Sequence, residues 1–359
     1  MSETPIPPLP KAAPPAIPVR ILTLNLFLRP PLVHSHGSDH KTDRLARFIK
    51  TVLPLYDVVA LQECFAFATD RRDKLIAEAA ELGFKYHAAC SKGSLVKGKV
   101  DGGLLILSRL EIVQQAECEF ARGVHSDWMA AKGVVYAKIA TSPTSHLHLF
   151  TTHLQASYGG GPHALTEPSV KTRSGQIAGA SGFISRLLTN GAGVKPFDRV
   201  LFVGDFNVNG RPDPNSPATT AESPAGAAAV ARTSGSSLPQ AALTAHSEEY
   251  NLMIAALKTH GWAVRDLLYE ASGHEHPVTT GTLFKGTVPA SESSIDYMFE
   301  LVPLSDGGTG SGATTTHGGG FRDVKTEEFR VEDGLPYTHI SDHFGVSCVF
   351  DPPVKDDGA

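Results

Sequence analysis

Cysteine is scarce in this chain. Cys64, Cys90, Cys118 and Cys348 are the four in 359 residues, too widely spaced for a disulfide scaffold and without the close pairing of a zinc site. They are expected to be buried thiols. A basic excess is missing too: 32 Lys and Arg against 37 Asp and Glu leave a net charge of −5, so the strongly basic footprint of a protein that coats nucleic acid is absent. An acidic total can still hide a local basic groove. No apolar run reaches the length of a membrane span, and residues 1–19 are Pro-rich, with neither the basic start nor the apolar core of a signal peptide. The expectation is a monomer that is neither inserted nor exported, working in the cytoplasm or peripherally at a membrane. What the chain does have is a 41% hydrophobic fraction, enough for a sizeable core.

The Pro-rich start carries almost no large apolar residue and reads as a disordered tail. From residue 20 onward, strand and helix patterns alternate. Runs at 21–27, 57–63, 102–109, 132–139, 146–153, 201–207 and 293–299 read as strands, many of them buried on both faces. Residues 43–53, 71–82, 171–188 and 248–260 have helical spacing. Low-complexity stretches at about 210–247 and 305–320 fall inside this pattern, so one domain over residues 20–352 is expected, with a short tail at 353–359. The loop histidines His34, His36 and His40 lack a matching second ligand pair and read as a solvated loop.

The stretch Leu201-Phe202-Val203-Gly204-Asp205-Phe206-Asn207 organises the rest. It is an apolar strand that ends abruptly in Asp205 and Asn207, two residues apart and therefore on one side of the chain. An Asx turn would explain this stretch alone. The same ending recurs, however: Asn25, Glu63, His153, Asp296, Asp342 and His343 all stand at the ends of apolar runs. If those ends meet, the inventory is oxygen donors for a hard divalent cation plus two imidazoles, with no thiolate. That equipment suits metal-assisted phosphoester hydrolysis, which needs a base for water, positive charge on the phosphoryl oxygens and a donor for the departing alkoxide.

The order Asn25, Gln62-Glu63, Gly103 with Ser108-Arg109, His153, Gly204-Asp205-Phe206-Asn207, Asp296-Tyr297 and Ser341-Asp342-His343 resembles the endonuclease/exonuclease/phosphatase superfamily. The match runs from about residue 20 to residue 351. The resemblance implies an α/β (α+β) fold like that of deoxyribonuclease I, a four-layer α/β/β/α sandwich of two mixed sheets with the site at the sheet edges. It also implies roles. Glu63, with Asn25 nearby, would bind Mg²⁺, for which Mn²⁺ or Co²⁺ could substitute; Asp205 and Asp342 would complete the metal or phosphate shell. His343, oriented by Asp296, would be the base. Asp205 and Asn207 would position water and phosphate, and His153 would act on the far side.

Within the superfamily, Ser126-Asp127-Trp128-Met129-Ala130-Ala131-Lys132-Gly133-Val134 resembles the neutral sphingomyelinase segment in which an Asp and a Lys five positions later form a switch beside the site. The stretch from Thr151 through His153 to Tyr158, and Arg173 with Gln176, resemble the same subfamily, which places Tyr158 among substrate contacts. A magnesium-dependent sphingomyelinase is thus expected, its membrane lipid substrate reached peripherally. Phe65 and Phe67, just beyond Glu63, are the candidate membrane contacts. A nuclease or other phosphoesterase, which would need a basic, aromatic-bearing groove, is the alternative. A non-catalytic interaction module is the third possibility, and the intact Glu63, Asp205, Asn207, Asp296 and His343 argue against it.

Overall fold

The computed structural model describes residues 17–31, 33, 38–93, 99–158, 163–190, 193–212, 246–284, 287, 292–304, 320–331 and 334–353. Nearly all of the Pro-rich start, both low-complexity stretches, His34, His36 and the 354–359 tail lie outside these residues.

Two six-stranded mixed sheets carry the chain. In the first, the order is β11 (Gly320–Glu327), β12 (Gly345–Asp351), β1 (Val19–Leu28), β2 (Val58–Cys64), β4 (Leu105–Ser108), β3 (Tyr86–Ala89). In the second it is β5 (Ile112–Glu119), β6 (Gly133–Ala140), β7 (His146–His153), β8 (Arg199–Asp205), β10 (Asp296–Pro303), β9 (Trp262–Asp266). Each sheet has one parallel seam, β1 with β2 and β7 with β8, and its other pairs are antiparallel. The first and last long strands of the described chain are neighbours: β1 pairs β12 with Val19 opposite Phe350.

Alternation of side chains across each strand explains the layering. Ile21, Val58, Ala60 and Ile106 of the first sheet face Val135, Ala137, Leu149, Leu201 and Val203 of the second in a shared central core. The residues between them point outward. Leu22, Leu24, Val59, Leu61 and Leu107 pack under α1 (Lys41–Arg47) through Leu45, under the turn Phe48–Val52 that follows it through Phe48, and under α2 (Arg71–Glu81) through Leu75. Tyr136, Phe150, Phe202 and Phe299 pack under α3 (Pro168–Asn190) and α4 (Glu248–Leu257) through Ile177, Ile184 and Met253. The result is the expected α/β/β/α sandwich, a strand buried on both faces being the reason its sequence reads as a continuous apolar run.

Cys64, Cys90 and Cys348 are buried thiols as expected, whereas Cys118 on the edge strand β5 is half-buried. Phe65 is buried at 7% exposure and Phe67 is half-buried, so neither ring stands out as an exposed contact for a membrane.

Candidate active site

The two parallel seams end at the same edge of the sandwich, and their ends carry the polar residues. Asn25 sits opposite Gln62, the neighbour of Glu63, while His153 lies opposite Asp205, and Asp205 opposite Asp296. The backbone at this edge is bent into conformations that side-chain-bearing residues rarely adopt: Phe27, Glu63 and Asn207 have φ of 51°, 52° and 53°. Such strain persists where surrounding structure enforces it. Two glycines allow it. Gly103, at φ 65°, lets the chain pass Glu63, whose Cα would lie 3.0 Å from an added Cβ; at Gly204 a Cβ would sit 2.1 Å from the Thr152 carbonyl.

Asn25 is the fully buried hub. Its amide nitrogen donates to Glu63 Oε1 (3.2 Å) and Asp205 Oδ2 (3.0 Å) and lies 3.5 Å from His343 Nε2. Its amide oxygen accepts from the Phe27 N–H (3.0 Å), so nitrogen and not oxygen faces the carboxylates. Among the described residues Glu63 Oε2 is buried without a hydrogen-bond partner, and burial, reinforced by the charge of Asp342, pushes the carboxyl up to about 7. Burial also raises Asp342.

His343 Nδ1 lies 2.9 Å and 3.2 Å from the two oxygens of Asp296, leaving Nε2 3.8 Å from Asp205 Oδ2. Burial alone would favour the neutral ring, but Asp296, Asp205 and Asp342 outweigh it and hold His343 well above the ordinary imidazole value. Burial, partly offset by His343, raises Asp205. Asp205, Asp296 and His343 can each aim one ligand atom at a common point, those atoms lying within 4.8 Å of one another.

Across from them, Lys132 is buried with its ammonium 3.0 Å from His153 Nε2, 2.7 Å from the Leu154 carbonyl and 3.3 Å from Asp127 Oδ2. An ammonium only donates, so His153 Nε2 accepts and the ring proton sits on Nδ1. That Nδ1 is buried without a partner among the described residues. Burial, then the nearby charges of Lys132 and His343, hold His153 well below its ordinary value, as a neutral ring. Asn207 closes the group: its N–H donates to Asp205 Oδ1 (2.9 Å) and its side-chain amide to the Leu154 carbonyl (3.1 Å).

The edge thus gathers Asn25, Glu63, Asp127, Lys132, His153, Asp205, Asn207, Asp296, Asp342 and His343. Tyr158 stands at the margin of this network, over the Asp127 turn, hydrogen-bonded with Ser126 and in electrostatic contact with Asp127. Four residues support the site; Gln62 and Ser341 belong to the motifs already named, while Arg44 and Thr279 escape a reading by motif. Arg44, fully buried, donates to the carbonyls of Leu26, Phe27, Asp39 and Ile340 and ties β1 to the segment before His343. Thr279 Oγ1 receives the N–H groups of Ile295 and Asp296, and Ser341 Oγ donates to the Asn25 carbonyl (2.6 Å). Gln62 bridges the sheets, donating to Thr23 and Thr151. A lone Arg on the apolar face of a helix was the one available signal, at Arg44.

The sequence model of the endonuclease/exonuclease/phosphatase family matches residues 22–343. The chain belongs to that family. A sphingomyelinase from Dictyostelium discoideum is 26% identical to it over 370 residues, spanning 88% of this chain and 76% of that one. Among solved structures, sphingomyelinase C from Streptomyces griseocarneus superposes with a TM-score of 0.57 at 20% identity, covering 93% and 99% of the two chains. Staphylococcus aureus beta toxin with bound magnesium ions gives 0.58 at 18% identity, covering 92% and 99%. D. rerio TDP2 with a single-strand DNA product gives 0.52 at 18% identity, covering 93% and 98%. At these identities the structures establish the shared family fold.

Proposed function

We propose that the protein is a Mg²⁺-dependent phosphodiesterase, residues 20–352 forming one catalytic domain, that hydrolyses sphingomyelin or a related sphingophospholipid to ceramide and phosphocholine. The observation that carries this reading is the buried chain Asp127–Lys132–His153 set against the Asn25–Glu63–Asp205 cluster. A general nuclease has no evident need of it, and the Dictyostelium relative is a sphingomyelinase.

The donor set fits a hard divalent cation: carboxylate oxygens dominate, no thiolate is near, and Glu63 Oε2 is a buried oxygen without a partner. Glu63 would hold the ion, with Asp342 and Asp205 able to complete its shell. Asn25 would serve this group as the donor that keeps the carboxylates in place, since its oxygen is turned away. Mn²⁺ or Co²⁺ could replace Mg²⁺. When bound, the ion neutralises charge on the phosphoryl oxygens.

His343, its Nδ1 fixed by Asp296, would take a proton from water at Nε2 once a cation on the neighbouring carboxylates offsets the negative charge that holds the ring protonated. Asp205 and Asn207 position that water and the phosphate. The Nδ1–H of neutral His153, for which the described residues offer no partner, would donate a hydrogen bond to the departing alkoxide, which takes its proton from water. Lys132 places positive charge beside the same oxygens when Asp127 does not hold it, so the pair sets the fraction of competent enzyme. Tyr158 contacts the substrate from the rim. The enzyme acts as a monomer that reaches its lipid from the water side; no helix among the described residues is long and apolar enough to cross a membrane.

Endonuclease or other phosphoesterase activity is the second reading, favoured by the fold shared with TDP2. Hydrolysis of sphingomyelin micelles, plasmid DNA and a lysophospholipid, each with Mg²⁺ and with EDTA, separates the two. Cleavage of DNA without sphingomyelin turnover would overturn the proposal.

A further inference from the structure

Scattered exposed apolar side chains are ordinary on a folded protein. Three here stand together. Trp128 (57% exposed) and Met129 (49%) lie on the 3-10 turn His125–Met129, and Tyr158 (52%) is held over that turn by its hydrogen bond with Ser126 and by the edge of His125, ring centroids 6.0 Å apart. Arg122 places its guanidinium 5.7 Å from the Trp128 ring and donates to the carbonyls of Trp128 (3.0 Å) and Met129 (3.3 Å). The turn's backbone is therefore held from below while its indole and thioether point outward. The patch borders the site, because Asp127 on the same turn pairs with Lys132, which touches His153.

We infer that this turn is the surface on which the protein meets a phosphocholine-headgroup bilayer. The inference rests on the sphingolipid reading above and gives that reading its point of contact. Indole and phenol each join an apolar body to one polar tip, the composition that sits at headgroup depth, with the ring against acyl chains and the tip among water and phosphates. Met129 adds an adaptable apolar contact. Arg122 supplies the charge complementary to lipid phosphates. The substrate of the proposed reaction remains in the bilayer until it is cut, so the contact has to lie beside the catalytic edge, where this turn is.

The chain has two tryptophans, and Trp262 is buried at 5% exposure, so Trp128 is the reporter that solvent reaches. The full chain with Mg²⁺ is mixed with phosphatidylcholine vesicles that contain no sphingomyelin. Its emission should shift to the blue and be quenched by bromine-labelled acyl chains. Trp128→Ser/Met129→Ser should bind about tenfold more weakly in vesicle sedimentation, the size expected for partial loss of two apolar contacts. Hydrolysis of a short-chain, soluble sphingomyelin should be unchanged. No shift in the parent protein, or a double variant that sediments like the parent, overturns the inference. So does an equal loss on the soluble substrate, and so does a concentration-dependent dimer abolished by the double variant, which would give the patch to a second copy. If the parent binds these vesicles through Trp128 yet cleaves no sphingomyelin, the docking surface stands and the substrate reading falls.

Discussion

Two buried histidine–aspartate systems lie at opposite ends of β7. At its start, His148 Nε2 lies 3.1 Å from Asp198 Oδ2, the Tyr136 hydroxyl lies 3.0 Å from His148 Nδ1, and His146 contributes its N–H (2.8 Å) and ring nitrogen (3.2 Å) to the other oxygen of Asp198. Tyr136 donating to Nδ1 and Nε2–H donating to Asp198 satisfies both nitrogens of a neutral ring. Burial holds His148 below its ordinary value; burial of Asp198 acts against its charge, but hydrogen bonds from His148, Lys195 N–H and His146 N–H outweigh this and hold the carboxyl low. At the other end of the strand, Glu63 Oε2 and His153 Nδ1 have no partner, and Glu63 and Asp205 are held above the ordinary carboxylate range. One end is a closed network that stabilises the fold. The other is left open at a cost in stability, which is the signature of a site that awaits a ligand.

The sharpest break in this comparison comes from the open end. EDTA should abolish turnover. Glu63→Gln should lose nearly all Mg²⁺-dependent activity while its melting temperature in EDTA stays level or rises, because a buried carboxyl with a raised pKa resists ionisation in the folded state. Turnover that persists in EDTA would remove the metal from the proposal. Next in size, His343→Ala should lower kcat by at least ~10²-fold, the lower end of the usual worth of general acid–base catalysis, and Asp296→Asn should move the same way. A His343→Ala enzyme with near-parental kcat would mean that another group activates the water.

Lys132→Ala should cost ~10²-fold in kcat with a smaller change in KM, as expected for one preorganised donor. Asp127→Ala should be milder. Both are measured on sphingomyelin and on an aryl phosphodiester; parental sphingomyelin turnover by Lys132→Ala moves the nuclease reading ahead.

The closed end should respond in the opposite currency, stability without kcat. Asp198→Ala strands the donors of His148 and His146 and should destabilise by about 1–3 kcal/mol at pH 7.5 with kcat unchanged. The pH sign follows from both depressed groups. Below about 6.5 the unfolded chain protonates His148 more readily than the folded one, and below about 3.9 it does the same at Asp198. Below pH 4 the urea midpoint of the parent should therefore fall more steeply than that of Asp198→Ala, whereas from pH 7.5 to pH 5 the variant, whose His148 has lost the carboxylate that favours its charge, should fall at least as steeply as the parent. A variant that falls as steeply as the parent below pH 4 would contradict this account.

What could be read in advance follows from burial. β2 and β8 are apolar on both faces and announce themselves, as do α2 and α3. β5, with alternating half-buried and exposed residues, and β11, mostly half-buried or exposed, carry polar side chains that mask their strand character, and both lie at sheet edges. Helical spacing over 43–53 spans α1 and two further turns, Phe48–Val52 and Leu53–Leu55, of different pitch. Asn25, Glu63, His153, Asp205, Asn207, Asp296, Asp342 and His343 were legible because each stands at the end of an apolar run, whereas Asp127, Lys132 and Tyr158 were legible only through the resemblance of their segments to the neutral sphingomyelinases. Arg44 and Thr279 were not, because what they do depends on carbonyls and backbone N–H groups brought from distant segments. The pair Phe65 and Phe67 misled for a related reason: proximity to Glu63 in the chain does not tell which way a ring points.

β1 and β12 are neighbours although they come from opposite ends of the described chain, and His343 is delivered by the residues just before β12. During synthesis, then, Asn25 and Glu63 emerge early and wait for almost the entire polypeptide before the histidine they face can arrive. A nascent or C-terminally shortened chain holds most of the fold's apolar material but no complete catalytic edge. The catalytic edge is complete only when β12 has paired with β1, which ties the site, and the lipid cleavage proposed for it, to the last strand of the described chain.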